Sequence, residues 1–340
     1  MNPIEPAEIQ DLVVRAPNWL GDSVMALPTL RALRAGVPHG RITLVGPWAE
    51  IFRDQAVADE VITYPRSFLR RLAFARPLRD RSPDTALLLP NSFESALAAW
   101  RWGARRRIGF AADGRSWLLT HPVPPPRPRH HQVDEYLKLL DVFHIRPVET
   151  APTWTLTPSF EDTAVSELLT GAGITEGPPL VGLHLGAAFG PSKLWPFERW
   201  ASLAGDLARN GLTPVLLGSP AESEVASEVL KRCPASVVSL VGRDAPALLP
   251  RLLSRLVLLV AGDTGVAQLA AALDVAVVVL FGPTDPRLTA PRGRRVRVIA
   301  KHVPCAPCFL THCPIDHPCM RGIGVDEVLA AALALAGTPA

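Results

Sequence analysis

The sequence lacks an uninterrupted apolar run long enough to span a bilayer. Its most apolar stretch, 256–281, is interrupted by Asp263, Gly265 and Asp274, whereas a spanning helix needs about 20 nearly uncharged residues. The first ten residues carry acids and prolines and contain none of the apolar core of a secretory signal. These two absences predict a cytoplasmic protein.

Cysteine is also scarce, with five residues in the whole chain. An odd number without an apolar leader argues against a disulfide framework. Four of the cysteines crowd into one segment: Cys305, Cys308, Cys313 and Cys319. The first two have a spacing that metal sites use, but the remaining gaps are irregular for a zinc ribbon. We expect no catalytic metal; a structural metal site and a reduced or locally disulfide-bonded loop are both open for this segment.

A large excess of charge of either sign is missing as well, because the net charge is +3. The distribution is uneven, however: 13 Lys and Arg residues stand against 4 Asp and Glu residues between 66 and 131. Such a basic segment suits an anionic partner, such as a phosphorylated lipid or a membrane surface, or it is a solvated arginine-rich surface. Nucleic acid is not expected, since no aromatic stacking module accompanies the segment.

What the chain does contain is a regular alternation of apolar strands and amphipathic helices over 340 residues, enough for two domains. In the first half we predict strands at 12–14, 42–45 and 85–89 and helices at 23–35, 49–55, 68–78, 94–102 and 131–143. In the second half we predict strands at 180–185, 214–217, 237–240, 256–260 and 275–280. Their continuous apolar runs favour parallel sheets covered on both faces.

The predicted fold class is therefore α/β, with two Rossmann-like doubly wound domains. The proline-rich segment 146–158 is the best linker, which gives domains at 1–150 and 151–340. The last helix could also pack back on the first domain. Ligands are expected where strand ends meet helix starts.

The first such place is Asn18-Trp19-Leu20-Gly21-Asp22, after the first predicted strand. A carboxylate at Asp22 could accept a proton from an attacking hydroxyl, or it could simply cap the helix; the spacing leaves both open. The segment is not a G-x-G-x-x-G fingerprint, so it predicts no dinucleotide site.

The second place is the turn that opens the second series and contains Gly186 and Lys193. Its small residues let backbone N–H groups approach an anion, and Lys193 would bring a positive charge to a phosphate. A surface lysine is the alternative. Glu222 follows a later strand, where it could hold ribose hydroxyls or stabilise a helix dipole.

The sharpest motif is Gly262-Asp263-Thr264-Gly265, between an apolar strand and a helix of small residues. The N–H groups at the helix start form an anion site. Asp263 would then accept hydrogen bonds from sugar hydroxyls, unless it caps the helix. The adjacent strand ends in Phe281-Gly282-Pro283-Thr284, and two neighbouring glycine turns favour a nucleotide diphosphate.

In this order the motifs resemble glycosyltransferase family 9, most closely its lipopolysaccharide heptosyltransferase II branch. The resemblance covers nearly the whole chain and rests on residues 18–22, 131–137, 189–196, 262–265, 281–284 and 304–319. It implies a GT-B fold, in which two Rossmann-like domains face a central cleft. It also implies inverting transfer of L-glycero-D-manno-heptose from ADP-heptose to the inner core of lipopolysaccharide, with a heptosyl-Kdo2-lipid A type of acceptor.

By this resemblance Asp22 is the catalytic base and Lys193 the residue that neutralises phosphate charge. Together with the turns described above, the expected donor-binding residues are Gly186, Lys193, Glu222, Asp263, Thr264, Gly265, Gly282 and Thr284. Together with the basic segment, the expected acceptor-binding residues are Asn18, Trp19, His131, Arg66 and Arg70. Where some relatives have hydroxyl residues before the lysine, this chain has Ala187, Ala188 and Phe189, so backbone donors would serve there.

The expected partners are the nucleotide-sugar donor and a lipid A–core acceptor, with peripheral contact at the cytoplasmic face of the inner membrane. No Asp-x-Asp metal clamp is present, so we expect that no cofactor is required. Three alternatives are open: the same donor with another glycan or a protein acceptor, a non-catalytic nucleotide-sugar-binding protein, and a metal-sensing protein organised by the cysteines.

Overall fold

The chain forms two compact units, Met1–Thr155 and Leu156–Ala340. The computed structural model describes residues 3–65, 67–174, 177–234, 236–243 and 245–337. The division between the units falls inside the proline-rich segment 146–158.

In the first unit, the described residues form a parallel six-stranded sheet with the order β3-β2-β1-β4-β5-β6. Its strands are β1 (Asp11–Arg15), β2 (Arg41–Gly46), β3 (Glu60–Thr63), β4 (Thr85–Leu88), β5 (Arg106–Phe110) and β6 (His121–Val123). Its α-helices are α1 (Leu20–Met25), α2 (Leu27–Gly36), α3 (Phe68–Arg81), α4 (Phe93–Arg101) and α5 (Gln132–Lys138). The central strand β1 places Leu12, Val13 and Val14 fully inside, as a strand covered on both faces requires.

The helix predicted at 23–35 is two helices. α1 already begins at Leu20, and the helix is interrupted at Ala26, which separates it from α2. Pro28 is the second residue of α2, a position at which the missing N–H of proline costs nothing. The early start of α1 matters for function, because it places Asp22 inside the first helical turn.

Two other helices of the first unit differ from their predictions in type. The predicted helix at 49–55 is a 3-10 helix, Ala49–Gln55. The helix predicted at 131–143 is α5 followed by a 3-10 helix, Leu139–Phe143.

In the second unit, the described residues form a parallel six-stranded sheet with the order β12-β11-β10-β7-β8-β9. Its strands are β7 (Leu180–His184), β8 (Thr213–Leu217), β9 (Val238–Ser239), β10 (Leu258–Gly262), β11 (Ala276–Phe281) and β12 (Val296–Ala300). Its α-helices are α6 (Phe160–Gly171), α7 (Phe197–Arg209), α8 (Ser223–Leu230), α9 (Leu249–Ser254), α10 (Gly265–Ala272), α11 (Pro286–Thr289), α12 (Pro318–Gly322) and α13 (Val325–Ala336). Counted from the first strand of each unit, the two sheets have the same strand order.

The last helix, α13, packs within the second unit against α7 and against β10 and β11. Val328 and Ala332 on its inner face are fully buried in the core of that unit. A further contact of this helix with the first domain stays a prediction. In the part of the chain that the structure describes, no helix is both long enough and apolar enough to cross a membrane.

Candidate functional site

The loop after β1 is built around a buried arginine. Arg15 ends the strand, and its guanidinium donates to the side-chain oxygen of Asn18 at 2.6 Å and to the carbonyl oxygen of Ala16. Its Cζ lies 4.2 Å from the centre of the Tyr64 ring, and burial lowers its pKa to about 10. The group is still charged at neutral pH, so it fixes Asn18 at the carboxyl end of the sheet. The sequence analysis did not assign this role to Arg15, because an arginine that ends an apolar strand gives no motif.

Asp22 lies in the first turn of α1, two residues after Leu20. The N-cap position belongs to Trp19, whose side chain makes no capping hydrogen bond. Asp22 is therefore not the capping residue, and that interpretation is wrong. The side chains of Asp22 and Trp19 both line a cavity.

The loop after β4 is held by a second buried arginine, Arg115. Its guanidinium donates to the carbonyl oxygens of Pro90 at 2.5 Å, Ser92 at 3.1 Å and Phe110 at 3.0 Å. Burial lowers the pKa of Arg115 to about 10. The arginine thus ties two carbonyls of the loop after β4 to the end of β5, a role that was not predicted from the sequence.

A cavity of about 240 Å³ lies where these two loops meet. β1 and β4 are neighbours in the sheet but not consecutive in the chain, so their carboxyl ends form the switch point at which α/β sheets bind ligands. Polar side chains from both loops and from α5 line the cavity: Asn18, Asp22, Asn91, Ser92, Gln132 and Tyr136. The cavity offers hydrogen-bond donors and acceptors beside one carboxylate, a set suited to sugar hydroxyls.

Tyr136 is the buried wall of this cavity, with 4% of its surface exposed. Burial, followed by the negative charges of Asp22 and Glu135, raises its pKa well above the usual value. Its hydroxyl therefore keeps its proton and can donate a hydrogen bond beside Asp22. Tyr136 was predicted to lie on a helix but not to take part in the site.

The other predicted acceptor-binding residues are not all brought to the cavity. His131 is the N-cap of α5, where its Nδ1 accepts from the backbone N–H of Val133 at 3.3 Å. Arg66 lies outside the described residues, and so does the side chain of Arg70.

In the second unit, Lys193 and Asp263 form a buried ion pair. The Lys193 Nζ donates to the Asp263 Oδ2 at 2.5 Å and to the Asp263 carbonyl oxygen at 3.1 Å. The Thr284 hydroxyl donates to the same carboxylate oxygen at 2.7 Å. Only 9% and 10% of the two charged side chains are exposed, so Lys193 is not a surface lysine. β7 and β10 are neighbours in this sheet but not consecutive in the chain. The Lys193–Asp263 ion pair, which follows these two strands, therefore lies at the switch point of the sheet.

The start of α10 supplies a second feature at this point. Thr264 is the N-cap of the helix, which places Asp263 before the cap, so Asp263 is not the capping residue. The Thr264 Oγ1 is buried and has no hydrogen-bond partner among the described residues. Gly265, the first helical residue, leaves the N–H groups of the first turn open to an anion.

Glu222 lies against two glycines of neighbouring loops. A Cβ on Gly186 would come within 2.7 Å of the Glu222 carboxylate, and Gly218 would meet the same side chain at 3.2 Å. The Ser219 hydroxyl donates to Glu222 Oε2 at 2.7 Å. A side chain at 186 would therefore have to displace this carboxylate.

Gly282 packs on protein rather than on an open surface. A Cβ at this position would clash with Met320 and come within 3.2 Å of the Cys319 Sγ. The absence of a side chain at Gly282 thus lets the turn approach α12, and its role in donor binding stays a prediction. Thr284 in the same turn reaches Asp263.

The cysteine segment supports the loops of the second unit. The Ser192 N–H donates to the Thr311 carbonyl oxygen at 3.1 Å, and the Cys308 N–H donates to the Pro283 carbonyl oxygen at 3.0 Å. All the cysteines are free thiols. Among the described residues, no group of His, Cys, Asp and Glu side chains is arranged to hold a metal ion.

His184 ends β7 at the same switch point and was also missed. It pairs with Ala261 of β10 in the sheet register. Burial lowers its pKa to about 4, and its Nδ1 finds no hydrogen-bond partner within the described residues. The imidazole is therefore neutral at physiological pH.

Comparison with known proteins agrees on one family. Residues 71–318 match the model of glycosyltransferase family 9 (heptosyltransferase). Lipopolysaccharide heptosyltransferase 2 of Salmonella typhimurium is 29% identical over 303 residues, which cover 85% of this chain and 87% of that protein.

Two solved structures share the fold. The structure of E. coli ADP-heptose lipopolysaccharide heptosyltransferase II matches with a TM-score of 0.82 and 26% identity, covering 96% of this chain and 98% of that one. A glycosyltransferase family 9 structure from Veillonella parvula matches with a TM-score of 0.85 and 22% identity, covering 99% of both chains. With the sheet topology, these matches confirm the predicted GT-B class with its two Rossmann-like domains.

Proposed function

Because this chain belongs to glycosyltransferase family 9, we propose that it transfers L-glycero-D-manno-heptose from ADP-heptose to the inner core of lipopolysaccharide. Relatives named as lipopolysaccharide heptosyltransferase 2 align over 85% of the chain. The observation that carries the donor half is the buried Lys193–Asp263 pair beside the start of α10.

The second unit has the groups that a nucleotide diphosphate sugar requires. Two N–H groups of the Lys193 ammonium are engaged by Asp263, which leaves the third for a phosphate oxygen. The Thr264 hydroxyl and the positive end of the α10 dipole add donors for the same pyrophosphate. Asp263 accepts hydrogen bonds from heptose hydroxyls, and Glu222 from the ribose.

The first unit has the groups that an acceptor hydroxyl requires. Asp22 is the general base, and the polar cavity beside it binds the acceptor sugar. A carboxylate is a weak base for an alcohol, so the proton moves late, as the new bond forms. Asn18, fixed by Arg15, and the protonated Tyr136 orient the hydroxyl.

The reaction is a single displacement with inversion. The acceptor oxygen forms a bond to the anomeric carbon of heptose while the bond from that carbon to the β-phosphate oxygen breaks. The acceptor proton goes to Asp22, and the departing electron pair stays on ADP. Lys193 and the α10 terminus stabilise the charge that ADP gains in the transition state.

Neither a metal nor a cofactor is needed in this proposal, and the enzyme works peripherally at the cytoplasmic face of the inner membrane, where its acceptor is anchored. Treatment with EDTA followed by desalting should leave the transfer rate unchanged. A rate that falls and is restored by one divalent cation would contradict this part of the proposal.

The decisive experiment is mass spectrometry of ADP-heptose incubated with heptosyl-Kdo2-lipid A and the protein. We expect an acceptor heavier by one heptosyl group and an equal amount of ADP. The Asp22→Asn variant should lose at least about a hundredfold in rate and keep its affinity for ADP, while Asp54→Asn, an exposed acid, serves as the control.

Two results would overturn the proposal in different ways. Normal turnover by Asp22→Asn would remove the base assignment. Transfer to another glycan, with none to the core acceptor, would keep the donor and replace the acceptor.

A further inference from the structure

The first unit exposes a group of aromatic side chains that the transfer reaction does not use. Phe93 and Trp100 are 41% and 56% exposed on α4, and Trp117 is 73% exposed on the 3-10 helix Ser116–Leu118, which packs against α4. Phe93 and Trp117 lie against each other, with ring centres 6.1 Å apart. Single exposed apolar residues are ordinary, but a contiguous exposed patch marks an interaction surface.

The spacing along α4 makes the patch one face of the helix. Phe93, the half-buried Leu97 and Trp100 stand at positions i, i+4 and i+7, which lie on one side of a helix. The far side of α4 carries Ser95 and Ala99, which are fully buried, and Leu97 also packs against the core. The helix is thus covered by the first unit on one side, while Phe93 and Trp100 stay exposed on the other.

Exposed arginines flank this uncovered side. Arg101 follows Trp100 directly and Arg105 comes four residues later, while Arg76 and Arg79 lie on α3, which packs against α4. All four are exposed, and none of them forms an ion pair within the described part of the chain. The nearest acid of α4, Glu94, is already engaged by Arg71 and by the Tyr64 hydroxyl.

We propose that this surface, defined as Phe93, Trp100 and Trp117 with Arg76, Arg79, Arg101 and Arg105 and called here the α4 face, docks on an anionic lipid bilayer. Tryptophan rings favour the boundary between headgroups and acyl chains. Arginines near an anionic leaflet add attraction that salt weakens. Exposed aromatic rings on an element next to unpaired arginines are complementary to an anionic surface rather than a neutral one.

The α4 face adjoins the acceptor cavity in the sequence. Ser92 lines the cavity, and Phe93 is the next residue and the first of α4. Docking through α4 therefore places the cavity at the membrane surface, where a lipid-anchored sugar is presented. The role of docking in presenting the acceptor rests on the proposed function, but vesicle binding itself is measured without any substrate.

The test is flotation of the full-length protein with vesicles of equal parts phosphatidylglycerol and phosphatidylcholine. The Phe93→Ser/Trp117→Ser double variant should lose about tenfold or more in vesicle partitioning. Phe160→Ser is the matched control, because Phe160 is 81% exposed in the second unit and should partition like the wild type. The altered side chains are exposed, so the double variant should have the same melting temperature as the wild type. If its melting temperature is lower, the milder Trp117→Gln variant replaces it in the flotation assay.

A charge variant tests the other half of the proposal. On anionic vesicles, the Arg101→Gln/Arg105→Gln variant should partition less than the wild type by about fivefold for each arginine removed. On neutral vesicles its partitioning should equal that of the wild type. Vesicles of phosphatidylcholine alone should bind the wild type weakly, and high salt should release it from the anionic ones.

Equal vesicle binding by the wild type and the serine double variant would overturn the proposal, as would equal binding to neutral and anionic vesicles. Transfer to a de-acylated, water-soluble acceptor should be unchanged in the serine double variant, because neither side chain lines the cavity. If the wild type transfers nothing yet floats with anionic vesicles, the proposed function fails and the docking surface stands.

Discussion

At the scale of single residues, the chemistry of the second unit depends on a charge pair that is costly to bury. Desolvating Lys193 and Asp263 is offset only when each charge is well paired and hydrogen-bonded. The Thr284 hydroxyl supplies the additional bond to the carboxylate. Removing either charge would leave the other buried and unpaired, so Thr284 is the residue whose replacement tests the arrangement without destroying it.

Thr284→Val should raise the KM for ADP-heptose about fivefold, the effect of one hydrogen bond of about 1 kcal/mol, with little change in kcat. Thr289→Val is the control, because the Thr289 Oγ1 is buried and bonds to nothing within the described residues. Steady-state kinetics on both variants measure the difference. A KM equal to that of the wild type would mean that Thr284 does not orient Asp263 for the donor.

His184 predicts how stability depends on pH. Its pKa is depressed to about 4 in the folded protein and returns to about 6.5 on unfolding, so the unfolded state binds the proton more tightly. The stability that this group contributes is present above pH 6.5 and is lost as pH falls towards 4. Between pH 7 and pH 5 the loss is about 2 kcal/mol.

Urea unfolding of the wild type and of His184→Asn at both pH values measures this effect. The variant should be less sensitive to acid by about that amount, because asparagine does not titrate. Identical losses in the two proteins would show that His184 is protonated in the folded state or reached by water.

Asp22, Lys193, Asp263 and Thr264 were predicted from the sequence because each sits in a short motif between a strand and a helix. Their roles in transfer stay predictions. Arg15, Arg115 and Tyr136 could not be found in this way. Arg15 ends an apolar strand and belongs to no motif, Arg115 acts on a loop more than 20 residues away in the chain, and Tyr136 lines a cavity that only the folded sheet creates. The capping interpretations of Asp22 and Asp263 failed for a local reason: each helix begins at a position that the apolar periodicity does not fix.

At the scale of elements, strands with continuous apolar runs were predictable, and those without such a run were not; the edge strand β9 was predicted as part of 237–240. β1, β4, β7, β10 and β11 are continuous apolar runs, whereas β3, β5, β6 and β12 were missed. β3, β6 and β12 are edge strands with at least one half-exposed side, which removes the apolar pattern. β5 begins with Arg106 and Arg107, and Arg107 donates to backbone carbonyls outside the strand. The two charged residues interrupt the apolar pattern by which a buried strand is predicted.

The loop after β4 offers a prediction at this scale. Arg115→Lys keeps the charge but loses the fork that holds the Pro90 and Ser92 carbonyls. It should cost about 1–3 kcal/mol of stability and raise the KM for the acceptor, while the affinity for ADP stays constant. The readouts are urea unfolding and kinetics at varied acceptor concentration.

The matched control is Arg107→Lys, because Arg107 also holds backbone carbonyls, those of Ala104 and Leu118, but does not support the cavity. It should lower stability without changing the KM for the acceptor. If both variants change acceptor kinetics alike, the effect belongs to general loosening of the first unit.

At the scale of the whole molecule, the chain consists of two units with separate cores and the same strand order. The family and the fold class were identified from motif order alone and are confirmed by the family match and the structural matches. Motif order succeeds here because the doubly wound topology repeats strand, glycine turn and helix along the chain. A ligand that binds to one unit is then expected to slow amide hydrogen exchange in the loops of that unit first.

ADP at about a hundredfold excess over its Kd should stabilise the protein by about 2.7 kcal/mol. Amide hydrogen exchange should slow in the loops 185–196 and 262–266 of the second unit, and Lys193→Ala should abolish the effect at the same ADP concentration. Protection of the loop 16–22 without protection of 262–266 would move the nucleotide to the first unit and contradict the donor assignment.

Each sheet carries its own switch point, so under the proposed function the sugar that is given and the sugar that receives it are recognised by different lengths of chain. We then expect acceptor preference to respond to substitutions in the loops after β1 and β4, and donor preference to substitutions in the loops after β7 and β10. A chimaera that joins the first 155 residues of this chain to the second half of a relative should use the acceptor of this chain and the donor of the relative.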